Sequence, residues 1–93
     1  MTPDIVHDAA GHRFETTVDG EHCVLEYEID ARRMTITHVS VPAPVSGRGI
    51  AGALMHAALE SARKQGWRVV PQCPYAAYFL KENPQWSTLV APG

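Results

Sequence analysis

The sequence predicts an α+β domain with a mixed, mostly antiparallel sheet and two helices. Three observations predict this class. Three consecutive segments alternate apolar and polar side chains with the period of half-buried strands. A longer segment starting at Ile50 then repeats apolar side chains at helical spacing, and a short apolar run follows it. The chain has 93 residues, so we expect residues 1–93 to form a single domain.

The three alternating segments are joined by short turns, which predicts an antiparallel meander. They cover residues 13–18, 23–29 and 34–41. Residues 1–12 lack clear periodicity and are predicted as a tail or an edge strand. In the third segment the alternation predicts two faces: Met34, Ile36 and His38 on one, and Thr35, Thr37, Val39 and Val41 on the other.

The helical period predicts a helix of about 16 residues from Ile50, with Gly66 as its C-terminal stop. Residues 67–70 then form a short apolar strand. Because a strand, a helix and a strand follow one another, we expect the two strands to pair in parallel through a crossover. A second helix is predicted over residues 74–83, with a proline in its first turn. Residues 85–93 can add an edge strand.

Composition and charge exclude several classes of function. The formal net charge is −2, which argues against charge-driven binding to nucleic acid or to an anionic membrane. No apolar run is long enough to span a bilayer, and the N-terminus lacks the pattern of a signal peptide. Cys23 and Cys73 lack metal-type spacing, so we expect reduced thiols and no metal. Since the sequence shows no other address, the expected location is the cytoplasm. Nothing in the sequence demands more than a monomer.

The glycines before the first helix fit the spacing G-x-G-x-x-G, at Gly47, Gly49 and Gly52. A dinucleotide fold is disfavoured, since its motif follows the first strand and requires an acidic residue about 20 positions on. One alternative is that the glycines only serve a turn. The other is an anion site, because the first N–H groups of a helix are free and its dipole favours negative charge. Arg48 adds positive charge there, so a diphosphate fits.

Prolines lie close to the ends of the two strands that are predicted to pair in parallel. Pro42 and Pro44 follow one strand, and Pro71 and Pro74 end the other. Since proline has no N–H to donate, the pair is expected to part at this end and to leave main-chain groups for a ligand. The alternative is that the prolines simply end two strands.

The segments "THVSVP", "GRGIAGALMHAAL" and "VPQCPY" together resemble the GNAT superfamily of acetyl-CoA-dependent N-acetyltransferases. The resemblance extends from about Phe14 to Trp86 and is closest to its very small, single-domain members. It implies a minimal GNAT-like fold with a splayed parallel strand pair, acetyl-CoA as cosubstrate, and an amine acceptor on a protein tail or a small molecule.

The resemblance also implies which residues hold the cosubstrate. The family's diphosphate loop would occupy Ser46, Gly47, Arg48, Gly49, Ile50 and Ala51. Gly49 and Ala51 match its last fixed positions, whereas Ser46 replaces a long polar residue and is expected to cap the helix instead. Val41 and Ala43 would offer main-chain groups to the pantetheine amides.

Candidate catalytic residues follow from the same comparison. Phe79 stands where many members carry a tyrosine that acts as the general acid. The adjacent Tyr78 is expected either to contact CoA or to pack in the core. Cys73 precedes the second helix, whose dipole favours a thiolate, and the small GNAT-like group is thought to use a cysteine here as its reactive residue. Cys73 is thus either a nucleophile that forms an acyl intermediate or a small buried residue.

His38 is the titratable group on the apolar face of the third strand. It is expected either to act as a base or to orient Cys73, or else to be a structural histidine. Two functions other than catalysis stay open for the chain as a whole. The first is a non-enzymatic acyl-CoA-binding or sensing module, which the departures at Ser46 and Phe79 favour. The second is a structural domain without a ligand.

Overall fold

The computed structural model describes residues 3–91 and contains one five-stranded sheet with the strands in chain order. The first four strands pair antiparallel and the last pair is parallel. This confirms the mixed, mostly antiparallel sheet that the sequence predicts. The strands are β1 (Val6–Asp8), β2 (Arg13–Val18), β3 (Glu21–Asp30), β4 (Arg33–Ser40) and β5 (Arg68–Pro71).

Two α-helices cover one face of this sheet. They are α1 (Ile50–Gln65) and α2 (Pro74–Glu82), with short 3-10 helices at Ala43–Val45 and Pro84–Leu89. The predicted start and stop of α1 are confirmed, because Gly49 and Gly66 flank it in the left-handed conformation. No helix in the described part of the chain is long and apolar enough to cross a bilayer.

The core lies between the helices and the covered face of the sheet. All of its strand residues belong to that face, so alternate side chains on the other face stay in contact with water. The buried strand side chains are Phe14, Thr16, Cys23, Leu25, Tyr27, Met34, Ile36 and Val69.

The two ends of the chain differ in part from the prediction. Of the two alternatives for residues 1–12, the structure contains a short edge strand, β1, which pairs with β2; residues 1 and 2 lie outside the described range. The prediction of an edge strand at residues 85–93 is wrong for the described residues. A 3-10 helix occupies most of that segment, and a single bridge joins Val90 to Val69. Residues 92 and 93 lie outside the described range.

The predicted faces of β4 are correct only as far as Ile36. Tyr27 of β3 lies opposite Ile36, whereas Glu26 lies opposite His38, so Thr37 is an extra residue that forms a β-bulge. A bulge reverses the faces of the residues after it. His38 is therefore exposed on the open face, and Val39 packs against the core, the reverse of the predicted alternation.

Candidate functional site

The loop before α1 presents a run of free backbone donors. Gly47 and Gly49 both have positive φ, at 78° and 81°, and Gly49 is the N-cap of α1. The first α-helical hydrogen bond of α1 runs from the N–H of Ala53 to the carbonyl of Gly49. Among residues 3–91, the N–H groups of residues 47–52 have no hydrogen-bond acceptor. These groups and the dipole of a 16-residue helix favour an anion.

A cavity of about 250 Å³ opens over these donors. One of its walls is Val41, which follows β4, and another is Tyr75 of α2. The rest of the lining is the loop and the first turn of α1: Ser46, Gly47, Gly49, Ile50, Ala51 and Gly52. Six of the predicted cosubstrate residues thus lie around one cavity.

The other three predicted cosubstrate residues, Ala43, Arg48 and Tyr78, do not line this cavity. The carbonyl of Ala43 accepts hydrogen bonds from the N–H and the hydroxyl of Ser46, at 3.1 and 2.9 Å. The hydroxyl of Ser46 therefore closes the short 3-10 turn, and the expectation that Ser46 caps α1 is wrong. Arg48 points away from the cavity, since its guanidinium donates to the carboxylate of Asp19 at 2.6 Å.

The aromatic residue beside the loop is Tyr75 rather than Tyr78. Helical spacing places Tyr75 and Phe79 one turn apart on the face of α2 that approaches Gly52. Tyr78 projects into solvent and is 59% exposed. Burial, and to a lesser degree the neighbouring Tyr78, raises the pKa of the Tyr75 phenol, so it keeps its proton at neutral pH.

The parallel strands β4 and β5 part beside this cavity. Their pairing ends at Ile36 and Pro71, although β4 continues to Ser40. The N–H of Cys73 donates to the carbonyl of Ile36 at 2.9 Å and fixes the start of α2 at the point where the strands separate. The predicted splayed pair is confirmed.

Cys73 is the N-cap of α2, as predicted, and is 8% exposed. It belongs to the core cluster and does not line the cavity over the loop. His38 lies across from Glu26 on the open face of the sheet, whereas the cavity and the core side chains lie on the covered side. The interpretation that His38 lies on the apolar face with Met34 and Ile36 is wrong because of the bulge at Thr37.

These features define a class of protein. A mixed sheet whose parallel strands part beside a helix N-terminus with free amides is the architecture of the acyl-CoA N-acyltransferases. Comparison with known proteins agrees. A family model described as GCN5-related N-acetyl-transferase matches residues 13–89, and the chain belongs to this family.

Curated relatives named protein NATD1 are similar to the chain over 83 residues. The protein from Bos taurus is 36% identical and the one from Homo sapiens 34% identical, and each match covers 86% of this chain and 74% of the relative. The solution structure of a GCN5-like protein from Staphylococcus aureus has the same fold, with a TM-score of 0.78 at 19% identity. That match covers 99% of this chain and 91% of the other.

Proposed function

We propose that the chain binds acetyl-CoA and transfers its acetyl group to an amine. The observation that carries this proposal is the row of N–H groups at residues 47–52 that are free within the described residues, in a loop that lines a cavity beside the parted strands. A diphosphate accepts several hydrogen bonds at once and is favoured by the helix dipole. It needs no lysine or arginine here, so the pairing of Arg48 with Asp19 does not oppose the proposal.

The pantetheine arm would follow β4 from the loop toward the point where the strands part. Val41 lines the cavity, and neither its N–H nor its carbonyl is hydrogen-bonded within the described residues. Ala43 is a weaker candidate, because its carbonyl already accepts two bonds from Ser46. We therefore expect Val41 to provide most of the main-chain contacts to the pantetheine amides.

The transfer requires a neutral amine and a protonated leaving thiol. The amine nitrogen attacks the thioester carbonyl, the C–N bond forms, the C–S bond breaks, and the proton lost by nitrogen balances the one gained by sulfur. Tyr75 is the nearest phenol to the loop and holds its proton, so we assign it as donor to the thiolate. The cavity lies on the covered side of the sheet, so His38 would accept the proton only of an amine that reaches the thioester from the open face, through the gap between β4 and β5.

A covalent route through Cys73 remains part of the proposal. Its thiolate would attack the thioester, forming a C–S bond to Cys73 as the C–S bond to CoA breaks. The amine would then attack the acetyl-cysteine, forming the C–N bond as the C–S bond to Cys73 breaks. The position of Cys73 at the N-terminus of α2 supports this route. Its burial at 8% exposure instead favours direct transfer, or an acyl-CoA-binding module without catalysis.

One experiment separates these functions. The protein is incubated with acetyl-CoA while its melting temperature and intact mass are recorded, and an amine panel is then tested for acetylation. Stabilisation with acetylated amines supports the enzyme, and a 42-dalton adduct absent from Cys73→Ala supports the covalent route (~42 Da for replacing H by acetyl). Stabilisation without any transfer indicates a binding module. No stabilisation at millimolar acetyl-CoA refutes the proposal.

A further inference from the structure

The last part of β4 is paired with a neighbouring strand on one side only. The ladder between β4 and β5 ends at Ile36, whereas β4 continues along β3 as far as Ser40. One residue beyond that end, Val41 forms a wall of the cavity over the diphosphate loop. The position of this wall therefore depends on how firmly residues 37–40 are fixed to β3.

The bulge lies at the first residue of this one-sided part. Thr37 is the extra residue, and the register of β3 holds no partner for it between Glu26 and Tyr27. An extra residue interrupts the ladder and bends its strand. Thr37 is therefore the position at which the end of β4 would hinge if only the main-chain ladder held it.

The side chain of Thr37 spans this interruption. Its hydroxyl donates to the main-chain carbonyl of Glu26 at 3.3 Å. One residue earlier, the carbonyl of Ile36 accepts from the N–H of Cys73 at 2.9 Å. Two consecutive residues of β4 are thus tied to different elements, Ile36 to the start of α2 and Thr37 to β3. The two bonds hold the bend from both sides.

Thr35 is the other threonine of the same strand and lies in its regular part. It pairs with Glu28 of β3 on one side and with Val70 of β5 on the other. The ladder alone fixes the backbone at this residue, so a side-chain bond is not needed there. At Thr37 both ladders are missing, and the hydroxyl provides the link that the main chain lacks.

We propose that Thr37 is a positioning residue, whose hydroxyl holds the bend of β4 against β3 and thereby sets where the backbone at Val41 meets an acyl carrier in the cavity. Thr37 itself does not line the cavity, so it acts through β4. The statement about the acyl carrier rests on the proposed function. The statement about the strand concerns the fold without any ligand.

The first measurement is amide hydrogen exchange in the free, ¹⁵N-labelled full chain. Thr37→Val removes the hydroxyl and keeps the branched shape, whereas Thr37→Ser keeps the hydroxyl. One neutral hydrogen bond changes a local opening equilibrium about two- to tenfold. The amides of residues 38–40 that donate to β3 should therefore exchange faster by that factor in Thr37→Val, and near the wild-type rate in Thr37→Ser. Thr35→Val is the matched control and should leave these amides unchanged.

The second measurement compares two ligands of different length. Inorganic pyrophosphate is long enough to contact only the loop, whereas acetyl-CoA also extends along the wall formed by Val41. Thr37→Val should weaken the binding of acetyl-CoA about two- to tenfold, because the wall must be ordered on binding, and should leave the affinity for pyrophosphate unchanged. Thr37→Ser should restore the affinity for acetyl-CoA.

Two results would overturn the positioning role. The first is equal exchange at residues 38–40 in Thr37→Val and Thr35→Val. The second is an equal loss of affinity for both ligands in Thr37→Val, which would indicate general damage to the fold. A wild-type chain that binds neither ligand would count against the proposed function instead, and the exchange rates would still decide whether Thr37 holds the strand.

Discussion

Gly49 is the residue whose replacement best tests the diphosphate loop. Its φ of 81° lies in the left-handed region, where a β-branched side chain is strained, although no neighbouring atom lies within 4 Å of an added Cβ. Gly49→Val should therefore rotate the loop and redirect its N–H groups. Each hydrogen bond to a charged group contributes about 1.5–3 kcal/mol. Losing two weakens acetyl-CoA binding by at least about 3 kcal/mol, or more than a hundredfold.

Gly66→Val provides the matched control at the other end of the same helix. Gly66 has a φ of 73°, so the strain is similar, and an added Cβ approaches only the flexible end of Arg32 at 3.0 Å. Left-handed strain of about 1–2 kcal/mol should lower the melting temperature of both variants by about 4–16 °C. Isothermal titration with acetyl-CoA should then show loss of binding in Gly49→Val alone. Similar affinities in the two variants would refute the assignment of the loop.

Three further predictions test other groups. Burial lowers the pKa of His7 below its usual 6.5, and the charge of Asp8 partly opposes this. The unfolded state therefore binds the proton more tightly, so the urea midpoint should fall as the pH drops from 7 through that lowered pKa. The fall should be smaller in His7→Gln. Tyr75→Phe should lower the rate constant for acetyl transfer, with little change in acetyl-CoA affinity if the phenol acts as proton donor. Asp19→Asn should free Arg48 and tighten acetyl-CoA binding up to about fivefold, and weaker binding would contradict this.

Much of the fold could be predicted because it depends on local patterns. The two glycines at the ends of α1 fix its bounds, and the alternation in β2 and β3 correctly separates buried from exposed side chains. The loop could be predicted for the same reason. Free N–H groups are a property of any helix N-terminus, and glycine spacing shows where a ligand can approach the backbone.

The errors arise where a contact distant in sequence decides the geometry. Nothing around Thr37 indicates a bulge, because the extra residue appears only when β4 is aligned with β3. Arg48 is paired with Asp19, which precedes it by 29 residues. The sequence of the loop alone therefore could not show where the Arg48 side chain points. Tyr75 could have been found, since it lies one helical turn before Phe79 and shares its face.

The separation of β4 and β5 shows how a correct prediction can rest on an incomplete reason. The N–H of Arg68 donates to the carbonyl of Arg32, just before β4, and the carbonyl of Val69 accepts from the N–H of Ala91 on the opposite side. By alternation the missing N–H of Pro71 therefore faces away from β4. Its lost donor therefore cannot open the gap. Instead the N–H of Gln72 turns back to the carbonyl of Val70 at 3.1 Å, which closes a three-residue turn centred on Pro71.

The fixed φ of proline suits the centre of such a turn, so Pro71 separates the strands through its backbone angle and not through its missing donor. On the other strand the bulge at Thr37 begins one residue after the last paired position, Ile36. Each strand therefore leaves the ladder through its own backbone irregularity at the same level of the sheet. Because both irregularities are in the main chain, the opening beside the diphosphate loop does not depend on any single side chain that lines it.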